Sequence, residues 1–225
     1  MAIDPQSHAA WFSRTPSSAV GVSAVGVAVV AVVATVACSR APTAGFWYQG
    51  DVVTFPADVA ARLGGPPTNE EIGSIEQLSR AEIERAFSGL GISITMSDRA
   101  YWRVAVLRSL PTRRNLDRPP AGESLAMGFL GGSGAVGFDF VAFKAVQFAA
   151  SNESRRGIIE GIGRGIGRVA VHEFMHQMLG ASIADSNIDA DSYEYGSPDR
   201  RSQYYGELHW TTAWPLLRRK FGKGD

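Results

Sequence analysis

The stretch Val171–Gly180, VHEFMHQMLG, constrains this chain most, because its two histidines can act together only on a helix. Positions i and i+4 of an α-helix share one face, so His172 and His176 can both reach one metal ion while Glu173 stands beside it. The neighbouring residues suit such a helix. Val171, Phe174, Met175 and Met178 follow i, i+3, i+4, i+7 spacing, which predicts an apolar back turned into a core. Gly180 sits where a helix would stop. The bland alternative is a core helix with two hydrogen-bonded histidines, but it leaves a buried Glu173 without a cheap explanation.

The 225 residues, 45% of them hydrophobic, are enough for one good-sized core with an N-terminal appendage. Formal net charge is zero, which gives no basic footprint for a nucleic acid. Cys38 is the single cysteine, so the chain has no internal disulfide and no cysteine-ligated zinc finger.

Three regions are expected. Residues 1–38 read as a signal peptide with lipobox or as a membrane anchor. Residues 39–67 read as a tether merging into the domain edge, and residues 68–225 as the functional domain. Ala19–Ala37 is uncharged and apolar. Thr35-Val36-Ala37-Cys38 resembles a bacterial lipobox, in which the cysteine is lipidated; an uncleaved transmembrane anchor is the alternative. Either one implies a cell-envelope protein attached to the membrane by its N-terminus and facing out of the cytoplasm.

Between tether and motif the pattern alternates between periods. Phe46-Trp47-Tyr48 and Val52–Phe55 suit a short strand or a segment docked on the core. Gly64-Gly65-Pro66-Pro67 is a break. Ser79-x-x-Glu82 has capping-box spacing, with Ile83, Ala86, Phe87 and Leu90 on one face behind it. Ile92–Met96 and Tyr101–Leu107 read as strands, and Thr112–Gly122 as a surface loop. Gly132, Gly134 and Gly137 form a formal G-x-G-x-x-G. The Phe138-Asp139-Phe140 alternation after it predicts a second strand, not the helix that a dinucleotide fingerprint requires. The run is better read as an edge strand along a cleft, where an extended peptide could pair with the main chain. Val141–Ala150 suits a helix. The glycines between Gly157 and Gly167 are interleaved with Ile159, Ile162 and Ile166, and the motif's helix begins somewhere from Ile158 onward.

H-E-x-x-H is the zincin signature. A catalytic zinc takes three protein ligands and a water, so the two histidines leave one ligand to find. Metzincins carry a glycine and a third histidine where this chain has Leu179 and Ser182, and no methionine follows Met178. Thermolysin-like gluzincins use a later glutamate, for which Glu194 is the candidate. The HEFMH run, then Asp185, then Ala190-Asp191-Ser192-Tyr193-Glu194-Tyr195, resembles the aspzincins, the deuterolysin and peptidyl-Lys metalloendopeptidase family. The likeness covers Val171–Gly196. It departs at Ile183-Ala184, where the family has Gly-Thr, and at Ile188, where the family has a catalytic tyrosine.

The resemblance implies an α+β zincin-like domain, a small mixed β-sheet packed on the active-site helix. Its activity would be zinc-dependent endopeptidase cleavage of a peptide or protein substrate. It makes His172, His176 and Asp185 the Zn2+ ligands and Glu173 the general base. It makes Asp191 and Glu194 the acidic pair of an S1′ pocket preferring a basic residue. Tyr193, Tyr195 and His209 remain open as oxyanion donors, with core or surface roles as the alternative for each. The alternative function is a non-catalytic envelope lipoprotein, a binding module on a zincin fold.

Overall fold

Five short runs, some rich in β-branched and aromatic residues and others in glycine and small residues, pair into a single sheet in a computed structural model of the chain. The structure describes residues 42–111, 120–127, 130–180, 183 and 187–222, all within one compact unit, Ala41–Asp225. Five strands, β1 (Thr43–Tyr48), β2 (Ser93–Thr95), β3 (Trp102–Leu107), β4 (Gly122–Ala126) and β5 (Gly132–Gly137), lie in the order β2-β1-β3-β5-β4. The first four in that order run parallel, and β4 pairs antiparallel with β5 at the edge. Six helices accompany them among the described residues: α1 (Ala57–Leu63), α2 (Asn69–Ala86), α3 (Phe138–Phe148), α4 (Arg155–Leu179), α5 (Ser202–Tyr205) and α6 (Ala213–Phe221). The result is a mixed α/β domain, compatible with the expected α+β class and mixed sheet.

The helix α4 is the hub. It contacts β3, β4 and β5, and also α2, α3, α5 and α6. Ser154 caps its N-terminus by accepting from the Gly157 amide, so it starts earlier than Ile158 and spans 25 residues. So many glycines destabilise an isolated helix by about 0.5–1 kcal/mol each. Packing explains them here. A Cβ on Gly167 would lie 2.5 Å from the Ser79 carbonyl oxygen, and one on Gly163 would lie 2.9 Å from Leu78 Cβ. Only a bare backbone lets α2 approach this closely, and buried Ile158, Ile162 and Ile166 complete the contact with the core.

Three local expectations are corrected. Residues 43–67 are not a tether, for β1 lies inside the sheet between β2 and β3, and α1 follows it. Ser79 and Glu82 do not open a helix. Thr68 and Glu71 form the capping box, and Ser79 and Glu82 are buried mid-helix in α2. Phe138–Phe140 begins α3 and is not a strand. Three alternating residues are too few to separate the two periods, whereas Phe138, Val141, Ala142 and Ala145 make a buried helical stripe. Asp139 in the first turn of α3 accepts from Arg108 and complements the helix dipole.

No helix among the described residues is long and apolar enough to cross a membrane. The apolar run 19–37 and the lipobox at Cys38 lie outside the described residues, as does most of the 112–122 loop.

Candidate functional site

The apolar back of α4 decides where its histidines point. Val171, Phe174 and Met175 are fully buried and Met178 is 2% exposed, so His172 and His176 emerge on the opposite, half-buried face. Gly180, with φ 91°, ends the helix one turn later.

The His172 Nδ1–H donates to the Tyr193 carbonyl oxygen at 3.0 Å. That bond places the ring proton on Nδ1 and the lone pair on Nε2. The Nε2 atoms of His172 and His176 lie 3.1 Å apart, with ring planes at 84°. Two imidazole nitrogens about 2.0–2.1 Å from one tetrahedral ion would be separated by roughly 3.3 Å. The donor pair therefore fits a shared zinc in both atom type and spacing.

Glu173 is 5% exposed and lies against the edge strand. A Cβ on Gly122 would meet Val169 Cγ1 at 2.7 Å and Glu173 Cδ at 2.9 Å, with Glu173 Oε1 nearer still. A glycine at 122 is what lets the carboxylate sit beside β4. One strand position further on the same face, the Ser124 hydroxyl donates to the Glu173 carbonyl at 3.1 Å. The next turn is fixed by Gln177, whose amide donates to the Arg103 carbonyl at 3.0 Å and accepts from the Arg103 N–H at 3.1 Å. A Cβ on Gly132 would lie 2.6 Å from Gln177 Cβ. The first glycine of the G-x-G-x-x-G run thus makes room for Gln177, inside a strand and not in a phosphate-binding turn.

The remaining expected residues fall into separate environments. Asp185 lies outside the described residues. Among the described residues no group of three or more His, Cys, Asp or Glu side chains is assembled for a metal. Glu194 is fully buried. Its carboxylate accepts from the Thr211 N–H (2.9 Å), the Thr211 hydroxyl (2.9 Å), the Ala213 N–H (2.7 Å) and the Ser192 hydroxyl. It anchors the start of α6. Asp191 is exposed, so the two acids do not share a pocket. Asp189 caps a turn by accepting from the Asp191 N–H and pairs with exposed His209 at 2.8 Å; the turn bond and then His209 hold its carboxyl below the ordinary value. Tyr195 lies under the Arg200 guanidinium, 4.9 Å away.

The Tyr193 side chain is buried, away from any oxyanion role, with its hydroxyl on Glu82 and Arg85. Burial and then the Glu82 charge push that hydroxyl far above its ordinary pKa, which keeps it a donor.

No family model matches this chain, and no curated protein matches it.

Sequence reasoning missed three contributors to this site: the Tyr193 carbonyl, Gly122 and Ser124. A backbone acceptor leaves no trace in residue identity. Gly122 lay within a run read as surface loop.

Proposed function

We propose that this chain is a zinc-dependent metalloendopeptidase with a zincin-like architecture. One observation carries the reading: two histidine Nε2 atoms 3.1 Å apart on one helix face, beside a buried glutamate at a sheet edge. His172 and His176 would hold the metal, with Asp185 as the third ligand. Glu194 is already committed to Thr211 and Ala213, which favours Asp185 over it.

Zinc held there would supply Lewis acidity, polarising the scissile carbonyl and lowering the pKa of a water to about 7. The chain supplies the rest. The outer edge of β4 has no strand partner among the described residues, so it can bind an extended peptide by main-chain pairing. Glu173 takes a proton from the attacking water as its oxygen bonds the carbonyl carbon, then delivers it to the amide nitrogen as the C–N bond breaks. The His172–Tyr193 hydrogen bond orients the imidazole throughout. A basic P1′ preference would rest on Asp191 alone, because Glu194 is enclosed. The cell-envelope location proposed for the domain rests on the 19–38 sequence.

The test compares wild type with Glu173→Gln by zinc analysis and peptide-library digestion. Both proteins should hold one zinc per chain, and the variant should lose roughly 100- to 10,000-fold in turnover. Equal turnover would remove Glu173 as the base, and a metal-free wild type that cuts no peptide would remove the proposal.

A further inference from the structure

His172 is oriented by a backbone carbonyl, and that carbonyl belongs to a residue whose side chain is caged. The Tyr193 hydroxyl donates to Glu82 Oε1 at 2.9 Å and accepts from Arg85 Nη2 at 2.9 Å. The same Glu82 oxygen accepts from Arg85 Nη2 at 2.6 Å and from Arg168 Nε at 2.8 Å. Arg168 in turn donates to the Ser202 carbonyl at 2.5 Å and the Gly206 carbonyl at 2.9 Å. Glu82 and Arg168 are 6% and 3% exposed, so their ion pair lies in the core, where such bonds hold geometry firmly, with the half-exposed Arg85 at its rim.

Helix periodicity links the cage to the metal side. Arg168, His172 and His176 succeed one another at four-residue spacing on one face of α4. That face therefore grips the segment from Tyr193 to Gly206 twice: Arg168 reaches its far end and, through Glu82, the Tyr193 hydroxyl, while His172 takes the Tyr193 carbonyl. The Tyr193 ring packs on Trp210 at 4.8 Å, and the Tyr193 N–H donates to the His209 carbonyl at 3.0 Å. A carbonyl held by its own ring, hydroxyl and amide has little freedom to turn.

We propose that Glu82 and Tyr193 are positioning residues for His172: the Glu82–Arg85–Arg168 cage holds the tyrosine hydroxyl and, through the tyrosine carbonyl, sets the orientation and tautomer of the imidazole. What the imidazole is oriented toward rests on the zinc reading; the relay itself does not. A positioning bond of this kind adjusts metal affinity by roughly 10- to 100-fold.

The test uses Tyr193→Phe in the full chain, which removes one hydroxyl and keeps the ring on Trp210. Long-range 1H–15N correlation spectra of the metal-stripped protein read the His172 tautomer, and chelator competition reads zinc affinity. Wild type should hold the proton on Nδ1. The variant should unfold cooperatively, show an increased Nε2–H fraction at His172 but not at His176, and bind zinc roughly 10- to 100-fold more weakly. A folded variant with unchanged tautomer and unchanged affinity would overturn the relay. If Tyr193→Phe does not fold, Arg85→Ala, at a half-exposed side chain, carries the same test. It should shift the tautomer in the same direction, and no shift there overturns the relay. A wild type that binds no zinc would defeat the metallopeptidase reading, while the tautomer still decides the relay.

Discussion

Gly122→Ala tests whether the edge strand and Glu173 are fitted to one another. The new methyl would lie 2.7 Å from Val169 Cγ1 and 2.9 Å from Glu173 Cδ, whereas ordinary contact begins near 3.4 Å. Relief requires β4 or the carboxylate to move by at least about 0.5–0.7 Å, and further for the nearer Glu173 Oε1, with Val169 buried in the core on one side. Overpacking of this size typically costs about 1–3 kcal/mol. For a unit of this length that lowers Tm by roughly 2–12 °C. The catalytic effect should be larger than the thermal one, since a displacement near 1 Å at a reacting group can cost on the order of 100-fold in rate. Differential scanning calorimetry and peptide hydrolysis read the two effects, with zinc content as the third readout, expected to stay at one per chain. Gly73→Ala is the control. Gly73 sits inside α2 with nothing near a Cβ, so alanine should stabilise the protein by about 0.5–1 kcal/mol. Wild-type Tm and wild-type turnover in Gly122→Ala would refute the packing argument and the placement of Glu173 with it.

Other expectations follow from the charges. Glu194→Gln should destabilise the protein by about 1–3 kcal/mol in urea titration, because a carboxylate accepting from two backbone amides and two hydroxyls is replaced by a group with one acceptor oxygen. Zinc content should not change; its loss would make Glu194 a ligand. Glu71 accepts from Arg155 at 2.6 Å, and this bond, with the Thr68 cap, holds its carboxyl down at about 2. A depressed carboxyl contributes stability above its unfolded value of about 4.3 and loses it as pH falls through the folded value. The stability gap between wild type and Glu71→Gln, read by urea melts, should therefore be full at pH 6 and close between about pH 4 and 2. A gap independent of pH would show that the ion pair contributes nothing.

The helix α4 was legible because its signals agree. The spacing of Val171, Phe174, Met175 and Met178 assigns the buried back, and Gly180 the stop. The edge strand was misplaced: the run Gly132–Gly137 is β5, paired on both sides between β3 and β4, and the outer strand is Gly122–Ala126, within and beyond a run expected to be loop. Long-range fits were not readable. Nothing near Gly163 or Gly167 in the sequence announces the α2 backbone that presses on them. Ser79 and Glu82 have cap spacing but are needed mid-helix, by Tyr48 and Arg168 respectively, partners distant in sequence. Glu194 looked like a site residue because buried and catalytic carboxylates share one residue type. Its donors Thr211 and Ala213 are mostly backbone groups, which a sequence cannot distinguish.

The most direct test of the metal site is anomalous scattering at the zinc edge from crystals grown with zinc. The expected result is one peak about 2.0–2.1 Å from Nε2 of both His172 and His176, with an Asp185 carboxylate oxygen as the third protein ligand. A peak placed elsewhere, or no peak between the two imidazoles at saturating zinc, would contradict it.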